Sequence, residues 1–163
     1  MGDFVDRGSE NEVYSAYDAD IVYKLNDFRY ADDNLNSFFE RLQVHNRYFP
    51  ECKYDLIGFG RNREGKVCAI LVQPFIHAER EATEEEITDA LALSGFQPQF
   101  GGECFTNGEY DIFDALPNNV LYGTDGHLYF IDTIIYKTQS GSFKTYRMLS
   151  PRFSGSTGQP GEV

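Results

Sequence analysis

One short segment constrains the fold of this chain more than any other. Residues 120–122 and 127–131 are rich in branched and aromatic side chains, and residues 123–126 (GTDG) between them have the composition of a turn. The segment therefore predicts a β-hairpin. Asn119 comes directly before the first strand, and Asp132 comes directly after the second. Because antiparallel strands lie about 5 Å apart, we expect these two side chains to emerge side by side at the open end of the hairpin.

The pair at the hairpin end combines a carboxylate with a carboxamide oxygen. Such oxygen ligands suit a hard cation like Mg²⁺, which keeps water and phosphate as its remaining ligands. Asp132 directly follows an apolar run (LYFI), where a carboxylate is costly to bury without a partner or a metal ion. Asp114 lies in the loop that leads into the same end of the hairpin. The sequence therefore predicts Asn119 and Asp132 as metal ligands close to Asp114.

The composition indicates a globular chain with a strong acidic excess. Hydrophobic residues make up 41% of the chain, and 26 acidic against 14 basic residues leave a formal net charge of -12. Nucleic acids and anionic membranes need a basic surface, so we expect neither as a partner. The chain has no apolar run of about 18 residues and no signal-peptide core, which predicts a cytoplasmic protein. We expect the three scattered cysteines to be free, buried thiols.

Hydrophobic periodicity predicts a mixed α+β chain. Strands are expected at residues 13–17, 21–25, 54–60, 66–72 and 134–136, in short pieces over 96–111, and at 143–148. A helix over 31–48 places four apolar side chains on one face, namely Leu35, Phe38, Phe39 and Leu42, and Asp32 or Asp33 can cap its start. Residues 83–86 (TEEE) form a capping box that opens a second helix, which runs to about Ser94.

The order of these strands and helices and of the polar residues at the hairpin resembles that of a protein kinase. The resemblance is closest to the reduced kinase domains of polyvalent proteins from phages and conjugative bacterial elements. Asp114 and Asn119 fit the catalytic-loop pattern D-x-x-x-x-N, and Asp132 follows at the interval of the metal-binding aspartate. The resemblance implies that Asp114 accepts or orients the proton of the substrate hydroxyl. It also implies that Asn119 and Asp132 hold Mg²⁺.

The N-terminal half resembles the nucleotide-binding part of the same fold. Lys24 resembles the strand lysine that contacts the α- and β-phosphates of ATP, and Glu40 resembles its ion-pair partner on the following helix. Residues 8–14 (GSENEVY) resemble a phosphate-covering loop, and residues 69–76 resemble the strand that leads into the adenine-binding hinge. The nucleotide contacts that the resemblance implies are Gly8, Asn11, Val13, Val22, Lys24, Val72, Gln73, Phe75 and Ile76.

The resemblance covers residues 6–136 and implies a two-lobed α+β fold. We expect three divisions, which are a small β-rich lobe with one helix over 1–76, a truncated C-terminal lobe with the catalytic hairpin over 77–148, and a disordered tail over 149–163. Ile112 and Phe113 stand where kinases carry His-Arg before the catalytic aspartate. We therefore expect Phe113 to be buried and to hold the loop of Asp114 by apolar contact.

The expected function is that of an ATP- and Mg²⁺-dependent phosphotransferase, one module of a larger mobile-element protein, acting on an unknown protein or small molecule. We expect a monomer or part of a longer chain. The alternative is a catalytically inactive pseudokinase that binds nucleotide or a partner protein. Plainer interpretations of single residues stay open, because Lys24 could be a solvated charge and Glu40 an exposed helix residue. Asp114 and Asn119 could be turn formers.

Overall fold

The computed structural model describes residues 4–7, 11–15, 20–29 and 34–138. Within these ranges the chain has twelve strands in three sheets and two α-helices, so the predicted α+β class is confirmed. None of the described helices has both the length and the apolar composition needed to cross a membrane. The described ranges leave out Gly8, the predicted cap residues Asp32 and Asp33, the strand predicted over 143–148 and the tail over 149–163.

A five-stranded antiparallel sheet forms the N-terminal half. Its strands are β1 (Phe4–Arg7), β2 (Asn11–Ser15), β3 (Ile21–Asn26), β4 (Asp55–Arg61) and β5 (Val67–Pro74). Their spatial order is β1-β2-β3-β5-β4, and every neighbouring pair is antiparallel. Strands β2 to β5 match the four strands predicted in this half. Strand β1 is not predicted, because a strand of four residues is too short to show the alternation of apolar and polar side chains.

Helix α1 (Leu35–Tyr48) connects β3 to β4. Asn34 caps it, because its side chain accepts a hydrogen bond from the Asn36 N–H at 2.9 Å. The predicted cap at Asp32 or Asp33 is therefore wrong. Asn34 has the extended backbone and the short polar side chain that a cap requires, and the helix begins directly after it.

The buried face of α1 is more polar than the sequence predicts. Leu35 remains 52% exposed, whereas Arg41 and His45 are buried. The guanidinium of Arg41 lies 4.9 Å over the ring of Tyr136, and His45 Nε2 lies 2.9 Å from the Cys52 carbonyl oxygen. These contacts replace the water that the two polar side chains lose on burial. The helix is therefore rotated relative to the purely apolar face over 35–42.

Two smaller sheets form the C-terminal half. Strands β6 (Ala78–Glu81), β10 (Val120–Gly123) and β11 (Leu128–Phe130) make one sheet with β10 at its centre. The other sheet has the order β12-β9-β8-β7, from β7 (Gln97–Gln99), β8 (Cys104–Thr106), β9 (Tyr110–Phe113) and β12 (Ile134–Lys137). The strand predicted at 134–136 is thus paired with β9.

Helix α2 (Glu84–Leu93) begins at the predicted capping box. The Glu86 N–H donates to Thr83 Oγ1, and the Thr83 N–H donates to the Glu86 carboxylate. The connections also contain short 3₁₀ turns at Pro50–Cys52 and Pro117–Asn119, and an irregular turn at Phe100–Gly102.

The largest cluster of buried apolar side chains joins α1, α2 and both C-terminal sheets. Phe49, which follows α1, stacks on Phe130 of β11 with ring centroids 4.5 Å apart. Tyr48 packs edge-on against the fully buried Phe96 at 5.0 Å. This aromatic packing fixes the hairpin β10–β11 against the end of α1. The cysteines at 52, 68 and 104 are free and buried, as predicted.

His45 should make the stability of the protein depend on pH. Burial lowers the pKa of His45 from 6.5 to about 4. Between these values the unfolded chain binds a proton that the folded chain does not bind. The free energy of unfolding should therefore fall as the pH drops from 6.5 to 4, by roughly 3 kcal/mol in total.

Urea unfolding at pH 7 and pH 5 measures this effect. The variant His45→Gln should lose the contribution of this residue, whereas His127→Gln serves as the control because its side chain is 78% exposed. An unchanged pH dependence in His45→Gln would contradict the assignment.

Candidate functional site

The predicted hairpin forms, and its open end carries Asn119 and Asp132. Strands β10 and β11 pair with Val120 opposite Phe130, so the residues that flank the strands are also neighbours. The Ile131 N–H donates to the Asn119 carbonyl oxygen at 3.0 Å, and Asp132 is the next residue. The side chains of Asn119 and Asp132 line the same cavity. The geometry predicted for this pair is therefore present.

Lys24 is the cation of this site. It lies on β3 opposite Val13 of β2, and only 3% of its surface is exposed. Its Nζ donates to the Ile131 carbonyl oxygen at 2.5 Å and lies 3.7 Å from Asp132 Oδ1. A buried ammonium needs such partners because it has lost its hydration. Lys24 is therefore not a solvated charge at a strand edge.

Two asparagines from the five-stranded sheet support Asp132. Asn26 Nδ2 donates to Asn11 Oδ1 at 3.1 Å, and Asn11 Nδ2 donates to Asp132 Oδ1 at 2.9 Å. Both asparagines are buried, so the bond between them is shielded from water. Asn11, which the resemblance places at the nucleotide, thus contacts the predicted metal ligand directly.

A cavity of about 430 Å³ lies between β3 and the hairpin. Lys24, Asn119 and Asp132 line it with polar groups, and Val22 lies two residues before Lys24 on the same face of β3. Because a strand rises about 3.3 Å per residue, Val22 and Lys24 are separated by roughly 6–7 Å. The lining therefore combines apolar side chains, such as Val22 and Phe75, with the polar groups of Lys24, Asn119 and Asp132.

Six of the nine predicted nucleotide contacts line this cavity, namely Val13, Val22, Lys24, Gln73, Phe75 and Ile76. Val72 does not line it, because Val72 pairs with Tyr23 and so lies on the opposite face of the sheet. In the predicted hinge, the Phe75 N–H already donates to the Asp20 carbonyl oxygen at 2.9 Å. This hinge amide is therefore engaged within the protein.

The predicted ion pair of Lys24 and Glu40 is not formed. Both residues are among those the structure describes, and the carboxylate close to Lys24 is that of Asp132. Glu40 is exposed and lines a different cavity, which Lys137 also lines. It lies two residues after buried Phe38, which places it roughly 200° around the helix from that residue and outside the arc of buried side chains. The neighbouring Arg41 points inward instead.

The loop before the hairpin places Asp114 next to Asn119. Phe113 is fully buried and packs against Tyr136 with ring centroids 5.9 Å apart, which confirms the predicted apolar support. Asp114 has φ +60°, a left-handed conformation that is uncommon for residues other than glycine. Asn119 Nδ2 donates to the backbone carbonyl oxygen of Asp114 at 2.9 Å. Asp114 itself is half-buried and does not line the cavity.

Tyr54 is a residue of the site that the sequence does not reveal. Its hydroxyl donates to the Ile131 carbonyl oxygen at 2.9 Å and accepts a bond from Lys24 Nζ at 3.4 Å. A tyrosine at the start of a predicted strand indicates burial, and a buried hydroxyl needs a partner. Its partner Ile131 lies 77 residues away in the chain, so no local pattern identifies it.

The residues present fit a magnesium ion that is bound together with a nucleotide. The described residues contain no group of three or more His, Cys, Asp or Glu side chains that could hold a metal. Asp132 offers a carboxylate, and Asn119 offers a carboxamide oxygen whose amide nitrogen is anchored on Asp114. Mg²⁺ is held by one or two protein ligands when phosphates and water complete its shell.

The mixture of many strands with two helices is compatible with a small kinase-like domain. A family model described as a serine/threonine/tyrosine kinase found in polyvalent proteins matches residues 1–139. The chain therefore belongs to this family, and the resemblance found in its sequence is confirmed. A comparison with curated proteins gave no match.

Proposed function

We propose that this domain is an ATP- and Mg²⁺-dependent phosphotransferase with a two-lobed arrangement, and that it is one module of a larger mobile-element protein. The observation that carries the proposal is the position of Lys24 Nζ, 3.7 Å from Asp132 Oδ1 at the edge of the cavity. A nucleotide phosphate would give Lys24 a negative partner. A metal ion would give Asp132 a positive one.

The lining of the cavity favours one orientation of a bound nucleotide. Val13, Val22, Phe75 and Ile76 provide apolar surface for the base, and Lys24 is the only cation among the described lining residues. The phosphates would therefore lie toward the hairpin. A volume of about 430 Å³ is within the range of small-molecule sites. The formal net charge of -12 is compatible with this placement, because the cation that matters is local.

The proposed chemistry moves the γ-phosphoryl group from ATP to an acceptor hydroxyl oxygen. The bond between the γ-phosphorus and the ADP oxygen breaks, a bond to the acceptor oxygen forms, and the hydroxyl proton leaves. Asp114 would accept or orient that proton. Asn119 anchors the Asp114 backbone, so the loop and the proposed metal ligand move together. Mg²⁺, held by Asn119 and Asp132, would offset the phosphate charge.

The backbone of Asp114 gives independent support to a functional role. A left-handed conformation at a residue other than glycine costs free energy and persists where the surrounding structure holds it in place. Here the buried Phe113 on one side and the bond from Asn119 on the other provide that restraint.

The alternative function is that of a pseudokinase that binds nucleotide or a partner protein without catalysis. Contacts within the protein already satisfy the site, because Lys24 donates to Ile131 and Asn11 donates to Asp132. In addition, Asp114 does not line the cavity. If the phosphates of a nucleotide do not displace these internal contacts, the domain would act as a binding module and not as an enzyme.

ATP should raise the melting temperature more with Mg²⁺ than without it. A ligand that binds only the folded state adds RT ln(1 + [L]/Kd), or about 2.7 kcal/mol at a hundredfold excess over Kd. The variant Asp132→Asn should lose the Mg²⁺-dependent part, whereas Asp89→Asn, on the exposed side of α2, should retain it. A thermal-shift titration measures both. Equal stabilisation with and without Mg²⁺ in the native protein would contradict the proposed metal site.

The variant Asp114→Asn should separate an enzyme from a pseudoenzyme. Asparagine tolerates the left-handed backbone but cannot accept the hydroxyl proton, so transfer should fall at least about a hundredfold. The affinity for Mg²⁺·ATP should stay within about twofold, since Asp114 does not line the cavity. Release of ADP, measured beside calorimetric binding, gives both values. Equal ADP release in the native protein and the variant would favour the pseudokinase.

A further inference from the structure

Helix α1 is linked to Lys24 through Tyr54. Glu40, the residue that the resemblance assigns to this link, is exposed on another side of the helix. The hydroxyl of Tyr54 lies 3.4 Å from Lys24 Nζ, and the ammonium lies 5.3 Å from the centre of the Tyr54 ring. The hydroxyl is therefore the part of Tyr54 that lies closest to the ammonium.

The position of Tyr54 is fixed from the helix side. Asn46 of α1 holds its backbone with two hydrogen bonds, one from Asn46 Nδ2 to the Tyr54 carbonyl oxygen at 2.9 Å and one from the Tyr54 N–H to Asn46 Oδ1 at 2.7 Å. The ring of His45, one residue earlier on α1, packs on the Tyr54 ring with centroids 4.6 Å apart. Tyr54 is 8% exposed.

The direction of the hydrogen bonds suits a positioning role. The Tyr54 hydroxyl gives its proton to the Ile131 carbonyl oxygen at 2.9 Å, so a lone pair is left to accept from Lys24. Lys24 donates to the same carbonyl oxygen at 2.5 Å. Lys24 of β3, Tyr54 just before β4 and the Ile131 carbonyl at the end of the hairpin therefore meet directly before Asp132.

We propose that Tyr54 is the residue that positions Lys24 for the nucleotide phosphates, in the place expected for Glu40. This inference rests on the proposed function. A neutral hydroxyl orients the ammonium without adding a second negative charge beside Asp132. Once a metal ion pairs with Asp132, the charge of Lys24 would then be left for the phosphates, whereas a second carboxylate beside Lys24 would compete with them.

The variant Tyr54→Phe tests this role, because it keeps the ring and removes the hydroxyl. Binding of ADP and ATP should weaken about tenfold, which corresponds to about 1.4 kcal/mol, whereas binding of adenosine should stay within about twofold. Calorimetry with the three ligands measures the difference. Glu40→Gln is the matched control and should leave all three affinities unchanged. The variant Asn46→Ala removes the two hydrogen bonds that hold the Tyr54 backbone. It should also weaken the binding of ADP and ATP more than that of adenosine, but by a smaller factor than Tyr54→Phe.

A double-mutant cycle shows whether Tyr54 acts through Lys24. Once Lys24→Met is present, Tyr54→Phe should cause no further loss of ADP affinity. Equal losses for adenosine and ADP in Tyr54→Phe would mean a merely structural role and overturn the inference, as would a phosphate-selective loss in Glu40→Gln alone. If the native protein binds ATP but Tyr54→Phe binds it equally well, only the inference fails. A native protein that binds no nucleotide would overturn the proposed function as well.

Discussion

The buried ammonium of Lys24 is the interaction on which the arrangement of the site depends. Removing an ammonium from water costs several kcal/mol unless hydrogen bonds and an opposite charge replace the hydration. Here the replacement comes from the Ile131 carbonyl, the Tyr54 hydroxyl and the Asp132 carboxylate. These groups belong to parts of the chain that are far apart in sequence. Because the buried ammonium would lose its partners if the hairpin moved away, Lys24 favours a fixed position of the hairpin relative to the five-stranded sheet.

The features that the sequence predicts correctly are local. The hairpin follows from a turn composition between two short apolar runs, and its geometry places Asn119 beside Asp132. The second helix follows from a capping box, in which Thr83 and Glu86 satisfy each other. Family membership also follows from the order of such motifs. In each case the residues that determine the structure lie within a few positions of one another.

The features that the sequence does not predict depend on packing between distant segments. The exposure of Glu40 is set by the rotation of α1, where the contact between Arg41 and Tyr136 decides which neighbouring residue turns inward. Tyr54 acquires its role from a carbonyl group 77 residues away. The face on which Val72 lies is set by its pairing with Tyr23. A helix or strand can therefore be predicted with the correct bounds while its side chains are assigned to the wrong face. A shift of one residue in helix rotation or strand register is enough to change which residue faces the site.

The central claim is that phosphates and a metal ion take over the partners that Lys24 and Asp132 now find within the protein. A crystal structure with Mg²⁺ and a non-hydrolysable ATP analogue tests it most directly. The account predicts a phosphate oxygen within hydrogen-bond distance of Lys24 Nζ, and a metal ion between Asn119 Oδ1 and the Asp132 carboxylate at about 2.1 Å from its ligands. An analogue bound elsewhere, with Lys24 still on Ile131 and Asn11 still on Asp132, would contradict it.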